Sequence, residues 1–279
     1  MTPAELTWVD GERAHSLPLP DRGLAFGDGL FETLLLVDGR PVLLEYHRQR
    51  LARGLKVLAF PDVGRALDHT LQNVSAAAPS GAAALRVTLT RGGGPRGYLP
   101  PSGARPRVIA QLAPQTRPLD AWHDPAKLGV AAIRWPTQPQ LAGIKHLNRL
   151  EQVLAAKEYR RGGWDEALML DQRGRAVSVV AGNLFAVIGD RLRTPALDSC
   201  GIAGTRRRAV MERWAPALGL AVDEAALSPA DLQAARELFY CNSLVGIRAV
   251  AALGDARWRD FPVTRALHER YLATLEARA

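Results

Sequence analysis

A lysine gives the first indication of chemistry in this chain. The 279 residues include 36 Lys plus Arg, but only Lys56, Lys127, Lys145 and Lys157 are lysines. Lys145 follows the small apolar run Leu141-Ala-Gly-Ile. Burial lowers the pKa of an amine and makes it usable as a nucleophile and a base, whereas arginine keeps its proton. The segment therefore predicts Schiff-base chemistry at Lys145, with a surface lysine at the start of a helix as the alternative.

The sequence around this lysine resembles a known family. The segment Ile144-Lys-His-Leu-Asn-Arg-Leu-Glu-Gln152 is similar to the lysine segment of the 4-amino-4-deoxychorismate lyases, which are fold-type IV enzymes that use pyridoxal 5'-phosphate (PLP). Branched-chain and D-amino-acid aminotransferases are wider relatives. The resemblance runs from Trp8-Val-Asp-Gly to Phe239-Tyr-Cys-Asn-Ser243, with the motifs in the family's order. It implies that Lys145 binds PLP covalently and acts as the catalytic base.

A PLP enzyme also needs residues that bind the phosphate of the cofactor. In the motif His47-Arg-Gln-Arg50-Leu, positions i and i+3 share one face of a predicted helix. A guanidinium can bind a phosphate through two parallel hydrogen bonds. The resemblance implies that Arg50 binds the phosphate and that His47 contacts the substrate. The alternative is an ordinary solvated helix face.

Two further segments resemble phosphate-binding segments of the family. Gly201-Ile-Ala-Gly-Thr205-Arg206 leads into a helix, whose first N–H groups and positive dipole end attract anions. The resemblance implies that Thr205 and Arg206 bind the phosphate through their backbone, and that Ser243 contributes a hydroxyl. It also places Asn183, in an Asn-Leu-Phe motif, among the cofactor-binding residues. A glycine-assisted turn is the alternative.

A glycine-rich loop is the candidate for substrate binding. Arg91-Gly-Gly-Gly-Pro-Arg96-Gly-Tyr98 follows a predicted strand, and its glycines allow the backbone to approach a ligand. The spacing differs from that of a Walker A or dinucleotide loop. By the resemblance, Arg96 meets one of the two carboxylates of deoxychorismate, and Tyr98 belongs to the same substrate-binding set. A plain hairpin loop is the alternative.

One position departs from the family. Relatives carry a glutamate five residues before the Asn of Asn-Leu-Phe, where it pairs with the pyridine nitrogen of PLP. Here that position is Ser178. A carboxylate keeps the ring nitrogen protonated, whereas a neutral hydroxyl only hydrogen-bonds to it and does not favour the charged form. Ser178 is therefore expected to weaken transamination more than a lyase step that ends in an aromatic ring.

Hydrophobic periodicity predicts an α+β chain. Predicted strands cover residues 31–37, 41–44, 83–90, 107–112, 128–133, 166–170, 176–180, 184–187, 192–194 and 238–241. Predicted helices cover residues 45–58, 63–77, 147–160, 205–218 and 264–277. A proline-rich stretch predicts a linker at 117–127 between an N-terminal domain, 1–116, and a C-terminal PLP-binding domain, 128–279. The resemblance implies a D-amino-acid aminotransferase-like fold with the cofactor between the two domains.

Composition narrows the remaining choices. The net charge of +8 comes from scattered basic residues without an aromatic-interleaved stripe, which favours attraction of an anionic small substrate over nucleic acid. No apolar run has the length of a membrane span, and the start of the chain predicts no secretory signal. Cys200 and Cys241 lack ligand spacing, so we expect a reduced, cytoplasmic setting and no metal.

These observations predict a PLP-dependent lyase that converts 4-amino-4-deoxychorismate to 4-aminobenzoate and pyruvate. The resemblance further implies a homodimer. One alternative is a fold-type IV aminotransferase acting on branched-chain or D-amino acids. Another is a PLP-binding homologue with impaired turnover, because Ser178 replaces the usual glutamate.

Overall fold

The computed structural model describes residues 5–276. Their contacts divide into two compact units, the first with residues 5–118 and 144–148, the second with residues 119–143 and 149–276. The predicted domain division assigned all of 128–279 to the second domain. The contacts assign 144–148 to the first unit instead, because this lysine-bearing segment pairs with a strand of that unit.

An antiparallel sheet with helices forms the first unit. Its described strands are β1 (Leu6–Val9), β2 (Glu12–Arg13), β3 (Gly29–Val37), β4 (Arg40–Pro41), β5 (Ala82–Thr90) and β6 (Arg107–Pro114). Its described helices are α1 (Arg22–Phe26), α2 (Leu44–Val57) and α3 (Gly64–Ala76). The strand order is β2-β1-β6-β5-β3-β4. The prediction of two long helices over an antiparallel sheet is confirmed.

Alternating burial explains why these strands form a half-buried sheet. In β5 the side chains of Leu85, Val87 and Leu89 are buried, and the residues between them are less so. The predicted returning strand at 41–44 is wrong beyond Pro41. Leu43 adopts a left-handed backbone with φ of 54°, which turns the chain directly into α2.

A mixed sheet forms the second unit. Its described strands are β7 (Ala126–Val130), β8 (Glu166–Leu170), β9 (Ala176–Val179), β10 (Asn183–Ile188), β11 (Arg191–Pro195), β12 (Val222–Ala225), β13 (Glu237–Asn242), β14 (Gly246–Leu253) and β15 (Ala256–Arg257). The order is β12-β11-β10-β13-β14-β7-β8-β9, and β15 pairs with β14. The pairs β11–β12, β14–β7 and β7–β8 are parallel.

Helices and short turns complete the second unit. Its described α-helices are α4 (Leu150–Arg161), α5 (Thr205–Ala209), α6 (Pro229–Gln233) and α7 (Pro262–Glu276). Helix α5 continues as a π-helical turn, Val210–Trp214, and the 3-10 turns are Pro139–Leu141 and Pro216–Leu218. The predicted single helix over 205–218 is thus three successive segments. Residue 277, in the last predicted helix, lies outside the described residues.

Two predictions for the second unit are wrong. The helix predicted from residue 147 begins at Leu150, because the Leu147 amide donates to the carbonyl of Gly29 in β3. Its apolar side chains include Leu150, which is 74% exposed, and Val153 and Leu154, which are also exposed. Strand β14 was not predicted, although most of it is buried.

Residues 5–276 contain neither a helix that could span a membrane nor a metal-holding cluster. None of the helices there has the length and apolar character that a bilayer crossing requires. Within the same residues, no group of three or more His, Cys, Asp or Glu side chains has an arrangement that could hold a metal ion.

Candidate active site

The predicted site residues lie in both units. The first unit contains the lysine, the helix motif and the glycine-rich loop, with His47, Arg50, Arg96, Tyr98 and Lys145. The second unit contains the predicted pyridine partner and the other cofactor-binding candidates, with Ser178, Asn183, Thr205, Arg206 and Ser243.

Strand β3 holds the lysine-bearing segment. The Phe31 amide donates to the carbonyl of Lys145 at 2.9 Å, and the Leu147 amide donates to the carbonyl of Gly29 at 3.1 Å. Leu30 and His146 form an antiparallel bridge. The lysine is therefore fixed by backbone hydrogen bonds to the start of a buried strand, although its segment is a loop.

Glycines in the Phe26-Gly-Asp-Gly motif make this approach possible. A Cβ on Gly27 would lie 2.1 Å from Oδ1 of Asn148, and a Cβ on Gly29 would lie 2.2 Å from the carbonyl oxygen of Leu89. Gly27 also has a left-handed φ of 64° as the C-cap of α1. A side chain at Gly27 would collide with Asn148 of the lysine-bearing segment, and one at Gly29 would collide with strand β5 and with the side chain of Leu147.

The Lys145 ammonium lies against an aromatic ring. Its Nζ atom is 4.2 Å from the ring centroid of Phe31, and the Arg86 guanidinium carbon is 4.1 Å from the same centroid. Lys145 is half-buried. Burial also lowers the pKa of Arg86 below its usual value. Cation–π contact with Phe31 orients the amine near the start of β3.

A buried ionic cluster lies next to Phe31 in the sequence. Glu32 accepts hydrogen bonds from Nδ1 of His47 at 2.7 Å, from Nε of Arg50 at 2.8 Å and from Nη2 of Arg50. All three side chains are buried. Burial alone would raise the pKa of Glu32, but the charge and hydrogen bonds of Arg50, together with His47, lower it to about 2.

The sequence correctly placed His47 and Arg50 on one helix face, but it missed the residue that they share. Glu32 could have been recognised as a charged residue within the apolar run of β3, because a carboxylate is rarely buried there without a cationic partner. The roles of Arg50 at a phosphate and of His47 at the substrate stay predictions.

Arg22 anchors the glycine-rich loop. This buried guanidinium donates to the carbonyl of Gly97 at 3.0 Å and to the carbonyl of Tyr98 at 2.7 Å, while its Nε bonds to Asp28 at 2.9 Å. The rings of Phe26 and Tyr98 lie 5.5 Å apart. Arg96 and Tyr98 are exposed on this loop, and their contact with substrate stays a prediction. No motif in the sequence connects Arg22 with the loop.

In the second unit, Asn183 and the three predicted phosphate-binding residues, Thr205, Arg206 and Ser243, come together around one turn. The Asn183 amide donates to the carbonyl of Ile202 at 2.8 Å, and a Cβ on Gly204 would lie 2.0 Å from Oδ1 of Asn183. Asn183 thus braces the turn that precedes α5. Beyond the turn, Oγ1 of Thr205 lies 3.5 Å from Oγ of Ser243.

Arg206 lies beneath these hydroxyls. Its guanidinium is almost fully buried, donates to the carbonyl of Ser243 at 3.3 Å and lies 5.7 Å from the ring centroid of Tyr271. Two hydroxyls, a helix start and a buried cation are a donor set that suits a dianionic phosphate. The individual contacts of these residues with a phosphate stay predictions.

Ser178 lies on β9, opposite Met169 of β8, and is 5% exposed. The indole Nε1 of Trp135 donates a hydrogen bond to its Oγ at 3.1 Å. The Trp135 amide is itself bonded to the carbonyl of Leu170 at 2.9 Å. Ser178 could be recognised from its position before the Asn-Leu-Phe motif. Trp135 could not, because it is 43 residues away and shares no motif with Ser178.

Glu166 is a buried carboxyl on β8 in the same unit. It accepts a hydrogen bond from the amide of Ala181, at 3.4 Å, in the turn between Ser178 and Asn183. Burial raises its pKa to about 7, although backbone hydrogen bonds and the charge of Arg248 oppose the rise. The sequence pattern predicts that Glu166 begins a strand, but it does not indicate that its carboxyl is buried.

Comparison with known proteins shows the family of the chain. Residues 29–253 match the family model described as Amino-transferase class IV. The aminodeoxychorismate lyase of Vibrio harveyi is 34% identical over 260 residues, covering 92% of this chain and 94% of that protein. The branched-chain-amino-acid aminotransferase of Escherichia coli K12 is 27% identical over 292 residues, covering 96% and 92%.

A solved structure extends the comparison to the fold. The crystal structure of 4-amino-4-deoxychorismate lyase from Pseudomonas aeruginosa has a TM-score of 0.90 and 42% sequence identity, covering 97% of this chain and 100% of that one. The E. coli branched-chain aminotransferase structure has a TM-score of 0.82 at 24% identity and shows likeness of fold. By sequence and by structure, the chain belongs to the class IV aminotransferase family.

Proposed function

We propose that this protein is an aminodeoxychorismate lyase that uses PLP to convert 4-amino-4-deoxychorismate to 4-aminobenzoate and pyruvate. The observation that carries the proposal is Lys145, which backbone hydrogen bonds and the Phe31 ring hold at the start of β3. It occurs in a chain that is 34% and 42% identical to proteins bearing this enzyme's name.

The residues present fit PLP. We propose that Asn183, Thr205, Arg206 and Ser243 bind its phosphate, since the paired hydroxyls and the helix start form a compact donor set. Arg50 is proposed as a further phosphate ligand whose guanidinium is oriented by Glu32. Lys145 is the proposed covalent attachment point.

PLP, when bound, supplies an aldehyde that condenses with the substrate amine and a ring that withdraws electrons from the carbon bearing it. With PLP bound, Lys145 would be the base that removes the proton from that carbon, and the bond from the ring to the enolpyruvyl oxygen would break. The departing enolpyruvate takes up a proton to give pyruvate, and the six-membered ring becomes aromatic.

Arg96 is the proposed partner of a substrate carboxylate. It is exposed on the loop that Arg22 anchors, so a substrate can reach it without displacing a buried ion pair. We propose that Tyr98 and His47 contribute to substrate binding as well. The same resemblance supports a homodimer, and two buried free cysteines, Cys200 and Cys241, suit a reduced cytoplasmic compartment.

Incubation with enzymatically generated aminodeoxychorismate tests the proposal, with 4-aminobenzoate followed by its fluorescence. We expect 4-aminobenzoate and pyruvate in equal amounts. Replacement of the exposed Lys157 by alanine is a matched control that retains the activity. Rapid reaction with branched-chain or D-amino acids, without 4-aminobenzoate, would favour the aminotransferase alternative. PLP binding without either reaction would favour the inactive homologue.

A further inference from the structure

The hydrogen bond between Trp135 and Ser178 has a defined direction. An indole N–H is a donor and has no acceptor atom, so Oγ of Ser178 must accept the bond at 3.1 Å. A serine hydroxyl carries one proton. With one lone pair engaged by Trp135, the hydroxyl keeps its O–H as a donor and its second lone pair as an acceptor.

The backbone holds this pair in place. The backbone amide of Trp135 donates a hydrogen bond to the carbonyl of Leu170 at the end of β8. Trp135 also forms a parallel β-bridge with Asp171. Ser178 is fixed opposite Met169 in the neighbouring strand. Trp135 belongs to a buried apolar cluster that includes Val177 and Met169, and Trp135 and Ser178 are each 5% exposed, so little solvent competes for their hydrogen bond.

We propose that Trp135 is a positioning residue that holds the Ser178 hydroxyl as a hydrogen-bond donor toward an unprotonated pyridine nitrogen of PLP. This rests on the proposed function, in which Ser178 replaces the glutamate that pairs with that nitrogen in relatives. A glutamate accepts a hydrogen bond from a protonated nitrogen. The hydroxyl donates instead, and a pyridine nitrogen accepts only while it carries its lone pair.

A neighbouring cation supports the same protonation state. The guanidinium carbon of Arg149 lies 5.5 Å from the ring centroid of Trp135. Burial lowers the pKa of Arg149 to about 10, and it therefore stays charged at neutral pH. A fixed positive charge beside the Trp135–Ser178 pair opposes a second positive charge on the pyridine ring.

Nitrogen-15 NMR of the full-length protein loaded with PLP labelled at the ring nitrogen tests the protonation state directly. We expect the shift of an unprotonated pyridine at pH 7 in the wild-type protein. Ser178→Glu should move the resonance to that of a protonated ring. A protonated nitrogen in the wild-type protein would overturn the inference without any variant having to fold.

Cofactor binding tests the donor role without measuring activity. The protein is stripped of PLP and titrated with PLP or with 1-deaza-PLP, in which a C–H replaces the ring nitrogen. Loss of one neutral hydrogen bond should weaken the analogue about fivefold relative to PLP. Ser178→Ala should bring the ratio of the two dissociation constants, analogue over PLP, to about one. Trp135→Phe should lower the logarithm of that ratio to half of its wild-type value or less.

Trp258→Phe is the matched control, because this buried tryptophan donates its indole N–H to the carbonyl of Ala235 elsewhere in the same unit. It should keep the wild-type ratio. Equal binding of both compounds by the wild-type protein, or an unchanged ratio in folded Ser178→Ala or Trp135→Phe, overturns this inference alone. Binding of neither compound overturns the proposed function as well.

Discussion

Glu32 in the first unit and Glu166 in the second are both buried strand carboxyls, but their surroundings shift their pKa values in opposite directions. Arg50 and His47 contact Glu32 directly and lower its pKa to about 2. Glu166 accepts a backbone amide, and burial raises its pKa to about 7. Ion pairing thus stabilises the charged form of Glu32, whereas burial favours the neutral form of Glu166.

This difference matches the parts proposed for each unit. Lys145, the proposed base, contacts Phe31, the residue before Glu32 in β3. The proposed pyridine partner lies in the second unit, where Trp135 and Ser178 form a neutral pair. Substitutions in the first unit should therefore affect reaction rate and acid stability, and those around Ser178 should change the protonation of the cofactor.

The largest effect is expected for Lys145→Ala. Loss of both the attachment point and the base should remove the absorbance of lysine-bound PLP and lower kcat by at least about a thousandfold, while circular dichroism shows an unchanged fold. Ser243→Ala in the second unit should mainly weaken PLP binding and leave most of the rate at saturating PLP. If Lys145→Ala keeps both spectrum and rate, Lys145 has no part in the mechanism.

The next largest effect is expected for Arg50→Ala. It leaves the Glu32 carboxylate buried with one cation fewer, which should cost about 3–5 kcal/mol in the free energy of unfolding. Adding Glu32→Gln should restore more than half of that loss. In both variants, PLP affinity should fall about ten- to a hundredfold if Arg50 binds the phosphate.

Arg48→Ala is the control for Arg50→Ala. Arg48 lies on the same helix as Arg50, but it makes an exposed ion pair, with Asp68 of α3. Urea titration should show a change below about 1 kcal/mol for this control. An Arg50→Ala protein as stable as Arg48→Ala would show that the cluster around Glu32 does not stabilise the unit. Unchanged PLP affinity would remove Arg50 from the phosphate site.

The two glutamates predict opposite effects of pH on stability. The folded pKa of Glu32 is about 2 against an ordinary 4.5, so its contribution of about 3 kcal/mol is present above pH 4.5 and lost as the pH falls toward 2. The folded pKa of Glu166 is about 7, so its contribution is present below pH 4.5 and lost as the pH rises to 7.

Unfolding free energies from pH 2 to 8 test this contrast. Glu32→Gln should flatten the acid limb of the stability profile, and Glu166→Gln should flatten the decline between pH 4.5 and 7. The comparison between the units fails if both variants alter the same limb, or if neither differs from the wild type in its pH dependence.

The smallest predicted effect concerns Ser178→Glu. A carboxylate there can accept from the Trp135 indole and favour a protonated pyridine, so half-reaction rates with amino acids should rise about tenfold more than the lyase rate. Ser178→Gln has the same size without the charge and should give no such preference. Both rates are to be measured by stopped-flow spectroscopy at saturating PLP. Equal gains, or losses in both, would contradict this account of Ser178.

Local patterns predicted the motifs and most strands, but they could not give the partners of the motif residues. The spacing of His47 and Arg50 placed them on one helix face, yet Glu32, which joins them, comes from a strand 15 and 18 residues away. Trp135 is 43 residues from Ser178, and Arg22 is 75 residues from Gly97. Such pairs arise from tertiary packing, which neither periodicity nor capping signals encode.

The helix after the lysine shows the same limit. Its pattern predicted a helix from residue 147. Residues 146 and 147 pair with β3 instead, so α4 begins at Leu150. That pairing depends on the space left by Gly27 and Gly29. The motif that contains these glycines does not indicate which residues pack into that space. A short segment that adds to a strand has no periodicity of its own to predict.

The central claim is that Lys145 attaches PLP, and reduction of the loaded protein with borohydride tests it most directly. Reduction makes the attachment permanent, and peptide mass mapping then locates the phosphopyridoxyl group among Lys56, Lys127, Lys145 and Lys157. The account predicts one label per chain, on Lys145. A label on any other lysine, or none on a protein that retains PLP, would contradict it.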